Sequence, residues 1–107
     1  MEKLRRYLES FDGLSNWDVV GPLCEDAFHA DLVYVTANGE LTKDAFREVA
    51  KNILATGVKV SDVHIEETEP NRIEFGTTVT AADGTVTKTA ATGTLAGGRV
   101  VRVQPRG

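Results

Sequence analysis

The chain has 107 residues, sixteen acidic against twelve basic, for a net charge of −4. No block of Lys or Arg interrupts that balance, which excludes nucleic acid and anionic membrane as expected partners, because both are held through clustered cations. That length suits one core, so residues 1–107 are read as a single domain. The lone cysteine, Cys24, has no partner for an internal disulfide and cannot hold zinc alone, and as a small apolar residue it is expected in the core. No apolar run approaches the ~20 residues of a membrane-spanning helix. Met1-Glu2-Lys3 opens directly into an amphipathic pattern, so the expectation is a cytoplasmic protein without a signal peptide.

Glu2 to Phe11 reads as a helix, with Leu4, Tyr7, Leu8 and Phe11 at i, i+3, i+4 and i+7. Asp12-Gly13 ends it, and Ser15 or Asn16 can cap a second helix from Trp17. The buried side of that helix would be Trp17, Val20, Leu23, Cys24 and Phe28. Pro22 fits poorly inside it, which predicts a kink or a late start near Gly21. A short strand over 31–36 turns at Asn38-Gly39. Thr42 then caps a third helix whose apolar stripe is Ala45, Phe46, Val49, Ala50, Ile53 and Leu54, closed by Thr56-Gly57. The alternation of the next strand changes phase across Ser61-Asp62, as a β-bulge would make it. Pro70-Asn71 leads into the last part.

Residues 72–103 read as three strands of an antiparallel meander. Asp83-Gly84 supplies a two-residue turn of type I′, which sets Ala81 opposite Val86, Thr77 opposite Ala90 and Phe75 opposite Thr92. Gly97-Gly98 makes the second reversal. The helix-covered face is expected to hold Val63, Ile65, Ile73, Phe75, Val79, Val101 and Val103, against Leu8, Phe11, Phe46, Val49 and Ile53. Thr78, Thr80, Thr87 and Thr89 would form a broad β-branched outer face, suited to a second copy of the chain, so a homodimer is expected. No parallel strand pair is expected.

The run from His29 to Phe46, HADLVYVTANGELTKDAF, resembles a stretch of the nuclear-transport-factor-2-like superfamily. That superfamily includes SnoaL-like polyketide cyclases, ketosteroid isomerases, scytalone dehydratases and limonene epoxide hydrolases. The resemblance covers nearly the whole chain in order and in element lengths. It implies an α+β fold, a cone-shaped, strongly bent antiparallel sheet wrapped around three helices in a cystatin-like roll. A pocket would lie inside the cone, and pairing would use the outer sheet face.

Enzymes of that superfamily place a carboxylate or imidazole among apolar walls, where desolvation moves its pKa toward neutrality. A second donor then stabilises charge on the substrate oxygen. Arg6-Tyr7-Leu8 resembles the isomerase segment that carries the donor, which makes Tyr7 the candidate. Anchoring the likeness on the helix puts Asp31 at the base position, whereas anchoring it on Val33 to Gly39 puts Thr36 there, and Thr36 is no base at neutral pH. His29, two residues from Asp31, is the other candidate base. The second isomerase carboxylate has no counterpart, since 84–107 holds no Asp, Glu or His. His64 alternates with Val63 and Ile65 and is expected on the outer face. Trp17, Tyr34, Phe75, Thr77 and Thr92 are expected to line the ligand pocket. Neither metal nor cofactor is expected. The preferred function is a module that binds a small apolar or aromatic molecule. The alternatives are an acid–base isomerase, cyclase or dehydratase acting on a polyketide- or steroid-like substrate, and a dimerising structural domain with a filled pocket.

Overall fold

A computed structural model describes residues 2–106. Helix α1 (Glu2–Glu9) and helix α2 (Trp17–Ala27) come first, then strands β1 (Phe28–Thr36) and β2 (Gly39–Leu41), helix α3 (Lys43–Ala55), and strands β3 (Lys59–Glu69), β4 (Arg72–Thr80), β5 (Val86–Ala96) and β6 (Arg99–Pro105). The six strands form one curved, open sheet in the order β2-β1-β6-β5-β4-β3. The three helices fill its concave side, where Leu4, Val20, Cys24, Phe28, Ile73, Val100 and Val103 are the most deeply buried side chains. No helix among the described residues is long and apolar enough to cross a membrane.

Local chemistry explains the helix ends. The Asn16 side chain accepts from the Asp18 N–H and starts α2 at Trp17, and the Thr42 hydroxyl accepts from the Ala45 N–H at the start of α3. The late start expected near Gly21 does not occur, because α2 carries Pro22 in its interior. Pro22 and Asp18, the residue whose carbonyl loses its helical donor, are both exposed, so water can serve that oxygen.

Curvature has its cause in bulges. The β3–β4 register shifts between Ser61 and His64, where Asp62 adopts φ 51, as the phase change in the sequence predicts. Arg5 donates to the Val63 carbonyl at this bulge and ties α1 to it. Further shifts occur between Thr94 and Leu95 and between Phe28 and Val33.

Three expectations need correction. First, β1 runs parallel to β6, so the sheet is mixed. The α3 crossover and the meander after it carry the chain far enough for its last strand to return beside β1. Second, the β4–β5 turn is one residue longer than a type I′ turn. Thr80 faces Val86, Thr77 faces Thr89 and Phe75 faces Ala91. The Ala81 N–H donates to Thr85 and only Gly84 of the turn takes a positive φ, of 90, which is the three-residue loop with a left-handed last position. Third, the bulge opposite Thr94 and Leu95 leaves Val101 without a partner, so Val100 replaces it in the core beside Val103.

A slip of one residue turns every side chain of a strand to the other face. Thr89 therefore faces the helices and Thr87 stands opposite inward-facing Val79, which removes both from the outer surface where the sequence had placed them with Thr78 and Thr80.

Candidate functional site

A cavity of about 330 Å³ opens between the helices and the concave face of the sheet. That is near the lower end of the ~300–1,000 Å³ common for small-molecule sites. Helix α1 contributes Leu4, Tyr7 and Leu8 from its apolar stripe, with Phe11 just beyond its end. Strand β1 brings Phe28, Tyr34 and Thr36 to the wall. Helix α3 supplies Phe46, Val49, Ala50 and Ile53, and the sheet closes the far side with Phe75, Thr77, Val79 and Thr89. Val49 and Ile53 are 40% and 44% exposed, higher than core positions, because they sit at the rim.

An aromatic cluster shapes the interior. Tyr7 meets Phe11 and Phe28 edge to face at 5.3 and 5.2 Å between ring centroids, and Tyr34 stacks on Phe46 at 4.7 Å. Burial raises the Tyr7 phenol well above its ordinary value, with further contributions from Cys24 and Tyr34, and burial raises Tyr34 as well. Both phenols are therefore neutral at physiological pH. Neither hydroxyl has a protein hydrogen-bond partner among the described residues, and both side chains line the cavity. Each can donate to an occupant.

The other polar groups on the wall are three threonine hydroxyls. Thr36 donates to the Gly39 carbonyl at 2.7 Å, and Thr77 and Thr89 lie 2.8 Å apart through their Oγ1 atoms. No Asp, Glu, His, Lys or Arg lines the cavity among the described residues. The arrangement can surround a flat apolar body and donate hydrogen bonds to it. It offers no general base.

The sequence-predicted residues divide accordingly. Tyr7, Tyr34, Phe75 and Thr77 meet in the cavity, and Thr36, which the alignment on Val33 to Gly39 put at the base position, joins them. Asp31 does not: its side chain is 86% exposed, at an odd position of β1 that faces outward. His29 shares that outward phase. Its Nδ1 accepts from the Asp31 N–H at 3.0 Å and lies 3.8 Å from the Asp31 carboxylate, too far for a hydrogen bond, and both side chains lie away from the cavity wall. Trp17 is outside too. As the first residue of α2 it folds over its own next turn, where a Cβ on Gly21 would come within 2.8 Å of the indole nitrogen, with the Lys51 ammonium 5.8 Å from the ring centroid. Thr92 lies on the convex face with Arg72, Thr94, Arg102 and Gln104, a consequence of the register slip. His64 is exposed beside Glu66, as its alternation predicts.

Thr89 is a wall residue that the sequence reading turned to the outer face. Its signal was the turn: reading Ala82-Asp83-Gly84 as a three-residue loop would have turned it inward. Cys24 is buried and its thiol is pushed up to about 11, chiefly by burial, which makes it inert at neutral pH. Among the described residues no three His, Cys, Asp or Glu side chains come together to hold a metal ion.

No protein-family model and no curated protein matches this sequence. Solved structures do. A proposed polyketide cyclase from Xanthomonas campestris pv. campestris superposes with a TM-score of 0.72 at 16% identity, over 97% of this chain and 86% of that one. An NTF2-like protein of unknown function from Exiguobacterium sp. 255-15 gives 0.64 at 20% identity, over 97% and 98%. TerC, crystallised with polyporic acid, gives 0.68 at 16% identity, over 99% and 91%. The chain has the fold of the nuclear-transport-factor-2-like proteins.

Proposed function

We propose that this protein binds a small, uncharged apolar or aromatic molecule inside the cone, in keeping with a cytoplasmic location. One observation carries the reading: a cavity of about 330 Å³ whose wall is aromatic, aliphatic and hydroxylic and bears no ionised group. Burying an unpaired charge there would cost several kcal/mol, whereas a neutral ring system gains from burial and can accept from Tyr7 or Tyr34. That a protein of this fold was crystallised with polyporic acid supports a small-molecule site. The acid–base alternative lacks its base, since Asp31 and His29 both lie off the cavity wall. The structural alternative lacks its filled pocket.

The test is to fill the cavity from within. Ala50 lines it and is 3% exposed, so Ala50→Phe would project a ring into the space. Titration calorimetry with naphthalene as the probe should show binding to the unmodified chain and none to Ala50→Phe, whose melting temperature stays within a few degrees. Equal binding by both proteins would defeat the proposal.

A further inference from the structure

Thr77 is buried, at 8% exposure. It lies on the cavity wall, and its hydroxyl meets that of Thr89 across the β4–β5 pair at 2.8 Å. Valine is the same shape and would pack there without a polar atom. The pair shares one hydrogen between its two oxygens. The accepting hydroxyl keeps a second hydrogen, for which no protein acceptor exists among the described residues. Both residues border the cavity, so an occupant there can approach the hydrogen and lone pairs that the pair leaves unused.

A carbonyl group could use only the hydrogen. A hydroxyl group on an occupant could use both, accepting from the free threonine hydrogen and donating to a threonine oxygen. We infer that the Thr77–Thr89 pair is the polar anchor of the cavity and that it selects hydroxylated aromatic ligands over plain hydrocarbons of the same shape. This rests on the cavity being a ligand site, and adds a class of ligand and the residues that choose it. Tyr7 and Tyr34, on the helix-facing walls, remain free to serve a second polar group.

The experiment compares naphthalene, 2-naphthol and 2-tetralone by titration calorimetry on the full chain and on Thr77→Val, Thr89→Val, the double variant Thr77→Val/Thr89→Val, Thr77→Ser and Tyr7→Phe. On the unmodified chain 2-naphthol should bind roughly five- to tenfold tighter than naphthalene, the usual worth of a hydrogen bond, with 2-tetralone between them. The double variant Thr77→Val/Thr89→Val should lose that advantage and keep the naphthalene affinity, and each single Thr→Val variant should weaken it, whereas Thr77→Ser and Tyr7→Phe should retain it. Thr89 lies in the exposed part of β5, so Thr89→Val keeps the test valid should Thr77→Val fold poorly. Three results would overturn the inference while leaving the cavity a ligand site. They are equal affinity for naphthol and naphthalene, an advantage that survives the double valine variant, and an advantage lost only in Tyr7→Phe. Absence of binding by every probe would defeat both.

Discussion

At the scale of single residues, burial of ionisable groups gives the protein a predictable alkaline limit. The Cys24 thiol is raised from an ordinary value of 9.0 to about 11, and Tyr7 and Tyr34 are raised from 10.0. Unfolded, these groups lose their protons first, so above their ordinary values the unfolded chain binds fewer protons than the folded one. Stability is then full below about pH 9 and falls as pH climbs through the raised values. Urea midpoints measured across that window should decline, and Cys24→Ala should flatten the first part of the decline even though it lowers the overall level. An unchanged slope in that variant would remove Cys24 as a cause. A second prediction concerns Gly76. A Cβ there would sit 2.7 Å from the Thr89 carbonyl oxygen, which is backbone and cannot swing aside. Gly76→Ala should therefore destabilise by about 1–3 kcal/mol, read from chemical denaturation.

At the scale of elements, the joint between α2 and α3 is held by charge. The Lys43 ammonium, only 11% exposed, donates to the Phe28 carbonyl at 2.9 Å and pairs with Glu25 at 3.0 Å. Arg47 also holds Glu25 and reaches Asp44. Hydrogen bonding from Lys43, then from Arg47, outweighs partial burial and keeps the Glu25 carboxyl below its ordinary range. That contribution is present at neutral pH and lost as pH falls through the lowered value. Lys43→Met should cost about 1–3 kcal/mol, since it leaves the half-buried Phe28 carbonyl unserved, and should shrink the acid-side loss of stability. A variant as stable as the parent would show the joint to be held by packing alone.

Elements also show what could be read from the chain. Helix stripes, the Asn16 and Thr42 caps and the Ser61-Asp62 bulge were legible because each is a local pattern: a period, a side chain that mimics a backbone acceptor, a phase change. Two features were not. The length of the Ala82-Asp83-Gly84 loop decides the face of every β5 residue, and Asp-Gly suits a two-residue and a three-residue loop alike. The parallel pairing of β1 with β6 joins segments from opposite ends of the chain, and no local pattern encodes direction at that distance. At the site the same division holds. Tyr7 followed from a helical stripe, whereas Asp31 and His29 depended on the phase of β1, which begins at Phe28, earlier than the sequence suggests.

For the whole molecule, the outer sheet face remains the proposed meeting surface of two copies, with a composition different from the all-threonine one first expected. Thr78 and Thr80 on β4 stand beside Lys88, Ala90 and Thr92 on β5, and the far end carries Arg72, Glu74, Arg102 and Arg106. Arg106 lies 3.4 Å from Glu74, and Arg102 lies 3.4 Å from Glu40, both pairs partly exposed and individually worth little. A two-fold arrangement would let such pairs be exchanged between copies while Thr78, Ala90 and Thr92, small and close to the sheet, allow the two faces to approach. Sedimentation equilibrium should then give twice the 11.6 kDa of one chain at high micromolar protein. Thr78→Asp should shift the equilibrium toward the single chain, because it buries an unpaired carboxylate at the contact. It should leave naphthalene binding unchanged, because Thr78 points away from the cavity that Thr77 and Val79 line. A single-chain mass for the parent protein at that concentration would rule out the pairing.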